Sequence, residues 1–424
     1  MSPNQLHVNL LLTTAGLHPG AGRRAGSTAD SLSLPVYRAL AETAERGLFD
    51  AVFLADSPSL PPNASNDDPI RVSPEPLTLL AALAATTSHV GLIGSASTSF
   101  YEPYNLARLF SSLDHLSGGR AGWNAVTTSS PTAARNFGQS VQDEHDARYG
   151  RAEEFIEVVL KLWDSFEPGS SVAHPIDHVG DRFSVAGPFT LPTTPQGRPV
   201  VAQAGSSPAG LRLGARFADV IYTNQASLQS SADFRREVRR QAADFGRDPD
   251  SVAVLPGVVP FLGSTEAEAR RLKSELDDSL DTEALIPSAL RWLGVDLSGY
   301  EPDSPFPIDK LPDPSSIRSS VGTFVQLADT IRREEPTVRQ ALSRVGGGTI
   351  HRTFVGTPEQ LADDFESWFR AGAVDGFNVM PAVVPDTLDE FVDHVVPILQ
   401  ARGLFRHEYS ASTLSGHYRS AVPA

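Results

Sequence analysis

An asparagine, a tryptophan and several hydroxyls stand together in LSGGRAGWNAVTTSS (116–130), where two glycines end an amphipathic segment and an apolar stretch follows. Asn124, Thr127 and Thr128 near the end of that stretch can offer donors and acceptors to a ligand, although Asn124 can equally be a bonded structural residue. AVFLAD places the carboxylate of Asp56 after five mostly apolar residues, where it can accept from a ligand N–H or cap a turn. GSASTSF supplies Ser95, Ser97 and Thr98, small enough for a flat ligand to come close. In QAGSSPAG, Ser206 and Ser207 open a helix whose backbone N–H groups suit a phosphate monoester. A plain serine N-cap is the competing reason for serine there. EHDARYG sets His145 and Tyr149 four apart, on one helix face, with no HExxH or other metal spacing beside them. His18 follows the first apolar run in GLHPGAGRRAG, whose Gly20, Gly22 and Gly26 are misspaced for a dinucleotide fingerprint.

Most of these residues end an apolar run, so the elements that carry the runs decide what they can do together. Eight strands are expected, at 6–12, 51–56, 90–98, 120–127, 199–204, 219–223, 252–262 and 376–381. Between them, helical periodicity occupies 35–47, 76–88, 104–116, 146–165, 206–217, 229–245 and 358–371. Eight strands alternating with helices predict a (β/α)8 TIM barrel in one domain spanning 1–424, with the candidate residues at its C-terminal mouth. Two stretches fall outside the alternation, 167–197 and 264–352, and are expected as insertions, the larger between the seventh and eighth strands. That larger one contains two amphipathic stretches closed by Gly346 to Gly348. It is expected as a helical cover over the mouth, with the glycines a hinge or a simple connector. The polar tail 410–424 is expected to drape over a neighbour or to be mobile.

Composition narrows the chemistry. The chain has 424 residues, 40% hydrophobic and 20% charged, no cysteine, and a formal charge of −16. Thiolate metal sites, disulfides and a cysteine nucleophile are excluded, and a phosphate backbone would be repelled, so nucleic acid is not an expected partner. No apolar run reaches the ~20 residues of a membrane span. The opening MSPNQLHVNLLLTT reads as a strand rather than a signal peptide, which points to the cytoplasm.

A series of segments in order, ERGLFDAVFLAD, EPLTLLAALAATTSHVGL, SLDHLSGGRAGWN, EHDARYGRAEEF, GRPVVAQAGSSPAG, VGTPEQLADDFESWF and DGFNV, resembles the bacterial-luciferase-like flavin monooxygenases. The resemblance is to the branch with the nitrilotriacetate and dibenzothiophene-sulfone monooxygenases and pristinamycin IIA synthase. It implies a barrel that binds reduced FMN non-covalently, reacts it with O2 and oxygenates a small organic substrate. It also implies an NAD(P)H-dependent flavin reductase as partner, and a homodimer or homotetramer. By the same resemblance Asp56, Thr98, His145, Tyr149 and Ser207 fall at flavin-contacting positions, with Ser206 a second phosphate neighbour. Asn124 falls beside the flavin, and His18 matches a loop histidine able to act as donor or proton shuttle, so these two stand as the catalytic candidates. Gly22 departs from the family, where many relatives carry a tryptophan. Within this reading the substrate is a secondary-metabolite intermediate, or alternatively a xenobiotic or organosulfur compound. A deazaflavin-dependent oxidoreductase and a non-catalytic flavin-binding protein are the other readings.

Overall fold

A computed structural model describes residues 5–22, 30–60, 73–139, 144–167, 169–317, 321–346 and 351–419. Its strands are β1 (His7–Leu11), β2 (Ala51–Leu54), β3 (Gly91–Ser97), β4 (Ala121–Val126), β5 (His178–Val179), β6 (Ser184–Val185), β7 (Val200–Ala204), β8 (Val220–Thr223), β9 (Ala253–Leu262), β10 (Arg352–Gly356) and β11 (Gly376–Val379). The helices used below are α1 (Leu34–Arg46), α2 (Pro76–Ala84), α3 (Pro103–Ser117), α4 (His145–Trp163), α5 (Pro208–Phe217), α6 (Leu228–Asp244), α7 (Glu266–Asp278), α8 (Thr282–Leu293), α9 (Val321–Glu334), α10 (Val338–Gly346), α11 (Pro358–Arg370) and α12 (Leu414–Arg419). Parallel pairing runs β1-β2-β3-β4-β7-β8-β9-β11 and returns to β1, which closes the eight expected strands into a barrel. The short β5–β6 hairpin is antiparallel and stands apart in the 167–197 stretch.

Alternation along each strand sorts side chains into two layers. Val8, Leu92, Trp123, Val201, Phe377 and Val379 face outward and pack under the helices. Trp123 is fully buried between Phe110 of α3 and Phe155 and Trp163 of α4, and its indole N–H donates to the carbonyl of Ala96 at 3.1 Å. Because Trp123 points out, Asn124 points into the barrel. Gly118, with φ +71°, ends α3 and takes the left-handed conformation that a Cβ would disfavour.

Beyond the middle of β9 the ring of strands changes partner. β8 pairs with the first part of β9 up to Pro256, and β10 pairs with the second part from Val258 to Leu262. Val258 also pairs with Val379, so β10 lies on the β8 side of β9, above the point where β8 ends. β10 was not foreseen in the sequence pattern. Between β9 and β10 run α7, α8, α9 and α10, two of which match the expected amphipathic stretches. They enclose a separate apolar cluster that includes Leu293, Phe306, Ile331 and Leu342. Gly346 ends α10, while Gly347 and Gly348, part of the expected hinge, lie outside the described residues.

The expectation for the tail is corrected. Residues 414–419 form α12, which closes the bottom of the barrel: Leu414 is fully buried and sits against Gly91 and Gly122, where a Cβ would fall 2.3 and 3.1 Å from its methyl carbons. The phenol of Tyr418 meets Asn9, which also donates to the phenol of Tyr222 at 2.7 Å. The tail looked polar because its polar atoms are consumed inside: both ring nitrogens of His417 lie 3.1 Å from carbonyl oxygens, of Asp50 and of Ala411.

Candidate active site

The C-terminal rim of β3, β4 and β7 gathers most of the expected residues. Thr98 follows β3 and is buried; its backbone N–H and its hydroxyl both donate to the carbonyl of Val126, at 3.0 and 3.2 Å, tying the ends of β3 and β4 together. The carbonyl of Thr98 accepts from Nε of Arg151 at 3.0 Å, which draws the first turns of α4 onto the rim. That turn presents His145 and Tyr149 with ring centroids 4.7 Å apart. The Tyr149 hydroxyl lies 3.5 Å from Oγ of Ser207, the N-cap of α5, which also accepts from the backbone N–H of Gly210 at 3.1 Å. Ser206, half-buried, belongs to the same turn. Thr98, His145, Tyr149, Ser206 and Ser207 are thus brought to one edge of the mouth.

Asn124 lies below that edge inside the barrel. It is 1% exposed, donates from Nδ2 to Oγ of Ser95 at 2.8 Å, and has no hydrogen-bond partner for its buried Oδ1. Ser97 accepts from the hydroxyl of Thr128 at 2.8 Å, which completes a band of small polar groups on the inner faces of β3 and β4. Asp56 follows β2, next around the ring, and is half-buried. Burial and the neighbouring carboxylate of Glu75 push its pKa up, against the opposing hydrogen bond from the Ser57 backbone.

His18 is placed differently. It is 1% exposed in the loop after β1; Nδ1 accepts from the backbone N–H of Gly20 at 3.0 Å, which leaves the proton on Nε2, 3.1 Å from Oδ1 of Asp277 on α7. Asp277 also accepts from Lys273 at 2.5 Å and from Ser343 of α10 at 2.6 Å. Burial alone would raise the Asp277 carboxyl, but the hydrogen bonds from His18, Lys273 and Ser343 outweigh it and hold the pKa at about 2. Both nitrogens of His18 are therefore engaged, and a proton leaving Nε2 reaches Asp277 first. The residue fastens the loop after β1 to the helices above.

Two further residues have buried polar atoms without partners. Asn378, on the inner face of β11, is fully buried with neither Nδ2 nor Oδ1 hydrogen-bonded. His351, just before β10, has its Nδ1 sealed from solvent without a partner, and burial pushes its pKa down to about 4. Asn378 was legible by the criterion that singled out Asn124, a polar residue at an inward position of an apolar run. His351 carries no sequence signal, since only the long excursion through α7–α10 brings it there.

The comparisons with known proteins agree with this architecture. The luciferase-like monooxygenase family profile matches residues 12–375. The chain is 42% identical to N-acetyl-S-(2-succino)cysteine monooxygenase of Bacillus subtilis, covering 99% of this chain and 97% of that protein. It is 44% identical to one of the subunits of pristinamycin IIA synthase from Streptomyces pristinaespiralis, covering 96% and 94%. Among solved structures it is similar to the EDTA monooxygenase of Chelativorans sp. BNC1, with 38% identity, a TM-score of 0.80 and 98% of each chain covered.

Proposed function

Because the chain belongs to the luciferase-like monooxygenase family and is a flavin-dependent monooxygenase, we propose that its flavin is reduced FMN, bound non-covalently at the rim of β2, β3, β4 and β7. The observation that carries this reading is the Ser206–Ser207 turn at the start of α5, with Tyr149 beside it, following the strand that pairs with β4 and its orphaned Asn124 Oδ1. A helix N-terminus with two hydroxyls fits a phosphate, and a buried acceptor lacking a donor fits the edge of a ring that bears N–H groups. Reduced flavin supplies the two electrons with which O2 is split, one oxygen atom going to the substrate and the other leaving as water.

The chain's own groups bind, orient and exclude water. Ser206, Ser207 and Tyr149 would hold the phosphate end, with the His145 ring tilted against Tyr149 at a centroid distance of 4.7 Å. Thr98 and Asp56 would lie beside the ring, and the partnerless Oδ1 of Asn124 would accept a hydrogen bond from its edge. The helices α7–α10, as an insertion on a single barrel domain, act as a cover that keeps solvent from the reacting centre. His18 moves or holds a proton at Nε2 in concert with Asp277.

The reduced cofactor comes from a separate NAD(P)H-dependent reductase. A relative that forms one part of a multi-subunit synthase is compatible with such a division of labour. Among the described residues no helix is long and apolar enough to cross a membrane. We place the enzyme in the cytoplasm as a homo-oligomer acting on a small organic molecule. Oxygen and NADH consumption, measured with a supplied flavin reductase, tests the reading: it fails if oxygen uptake with FMN does not exceed that of the reductase alone across a substrate panel.

Ser207→Ala is expected to weaken FMN binding by about 1–2 kcal/mol, the range for one hydrogen bond to a charged acceptor, and to leave riboflavin binding unchanged. Fluorescence titration with both ligands checks this. Equal affinity of the parent protein for FMN and riboflavin would return Ser207 to its role as a helix cap alone.

A further inference from the structure

We propose that Arg151 is a positioning residue of the cofactor site, setting the span between its ring end and its phosphate end, and that the β5–β6 hairpin holds Arg151 in place. This rests on the FMN reading above and gives the 167–197 stretch a task within it. Arg151 stands two residues beyond Tyr149 on α4, so the two side chains leave opposite sides of the helix. That helix packs between α3 and α5. On one side, Nε of Arg151 donates to the carbonyl of Thr98 at 3.0 Å and Nη2 to that of Tyr101 at 3.5 Å. On the other, the Tyr149 hydroxyl lies 3.5 Å from Oγ of Ser207, the N-cap of α5. The first turns of α4 thus touch both the end of β3, where Thr98 would meet the ring, and the start of α5, where the phosphate would sit. A ligand that must satisfy both ends feels any shift of those turns. One that lacks the phosphate feels little of it.

The hairpin supports the face of the same guanidinium. Phe183 is 8% exposed; its ring centroid lies 4.6 Å from Cζ of Arg151, and the ring meets Phe155 of α4 edge-on at 5.6 Å. Phe183 is itself fixed by Glu154, one turn along α4 from Arg151. The Glu154 carboxylate accepts from the backbone N–H of Phe183 at 2.9 Å and of Arg182 at 3.1 Å, and lies 3.2 Å from Nε2 of His178. Gly180 leaves room for that carboxylate, since a Cβ there would collide with it. A long arginine side chain loses much rotamer freedom when it is ordered, and a ring held rigidly beneath it confines it before any ligand arrives. The hairpin therefore reaches the rim through one side chain, although it takes no part in the barrel.

Fluorescence titration of the full chain with FMN and with riboflavin, together with amide hydrogen exchange, tests the positioning role. Arg151→Met, which keeps the length of the side chain and removes its donors, is expected to weaken FMN by about tenfold and riboflavin by less than about twofold. Arg151→Lys keeps the charge and a donor and is expected to fall between Arg151→Met and the parent. Phe183→Leu, which takes the ring from beneath the guanidinium, is expected to weaken FMN by about threefold, and to add nothing once Arg151→Met is present, because it acts through that residue. Without flavin, the amides of 98–101 and 145–151 are expected to exchange faster in Arg151→Met. Thermal unfolding checks each fold, and if Arg151→Met does not fold, the other two single variants decide. The proposal is overturned if the two flavins weaken by the same factor, if the losses multiply in the double variant, or if exchange in both segments is unchanged. Equal affinity of the parent protein for the two flavins overturns the cofactor reading instead, and exchange then judges the positioning role by itself.

Discussion

Deleting residues 414–424 is expected to cost on the order of 5 kcal/mol or more, enough to unfold a protein whose whole stability is about 5–15 kcal/mol. The loss of buried Leu414 exposes the space at Gly91 and Gly122, and large-to-small changes at such sites cost about 2–5 kcal/mol. Removing Tyr418 and His417 takes the partners from Oδ1 of Asn9 and from the carbonyl of Ala411, and leaves the Asp50 carbonyl with the Gly91 N–H alone. Urea unfolding is the measurement, with Leu414→Ala as the milder variant expected to lower stability by about 2–4 kcal/mol. An unchanged midpoint in the truncated chain would mean that α12 is an ornament on the barrel rather than its floor.

Asp277→Ala is expected to release the cover. Three donors, His18, Lys273 and Ser343, lose their common acceptor, at a cost of about 3 kcal/mol for breaking a largely buried charged network. Proteolysis between 266 and 346 should quicken, and turnover with supplied reduced FMN should fall by about tenfold or more as water enters. The pH sign follows from the carboxyl being held at about 2, below its ordinary value near ~3.9. The stabilisation is complete above the ordinary value and is lost as pH falls from there through about 2, so the latch is fully engaged at neutral pH. The variant should lack that acid-side dependence. Unfolding curves that differ from the parent by a constant amount over this window would remove Asp277 from the latch.

How far the structure could be read from sequence follows from periodicity. The eight barrel strands and the helices between them were legible because strand and helix bury their apolar residues at different spacings, as Trp123 beside Asn124 and the helix α5 after Ser207 illustrate. Thr98 and Ser207 were legible because one follows a strand and the other opens a helix, and Tyr149 because it stands four residues from His145 on one helix face. What escaped depends on long-range placement. RTFVG, in β10, stands at the end of the stretch expected as an insertion and exists as a strand only because β9 outlasts β8. The engagement of His18 could not be seen, since its partner Asp277 is far along the chain on a surface-like acidic helix. The polar tail misled because hydroxyls and histidines that look solvent-facing instead meet carbonyls and an asparagine within the barrel base.

The change of partner along β9 has a consequence for how such an enzyme can diversify. Closure of the ring is complete by Val258, and the strand above it serves only β10 and the helices that lead there. Insertions, deletions and substitutions in α7–α10 can therefore reshape what the mouth admits while the hydrogen-bonded ring below keeps its register. Closure of the ring and the mooring of α7–α10 are carried by different stretches of one strand, so each can drift without dragging the other.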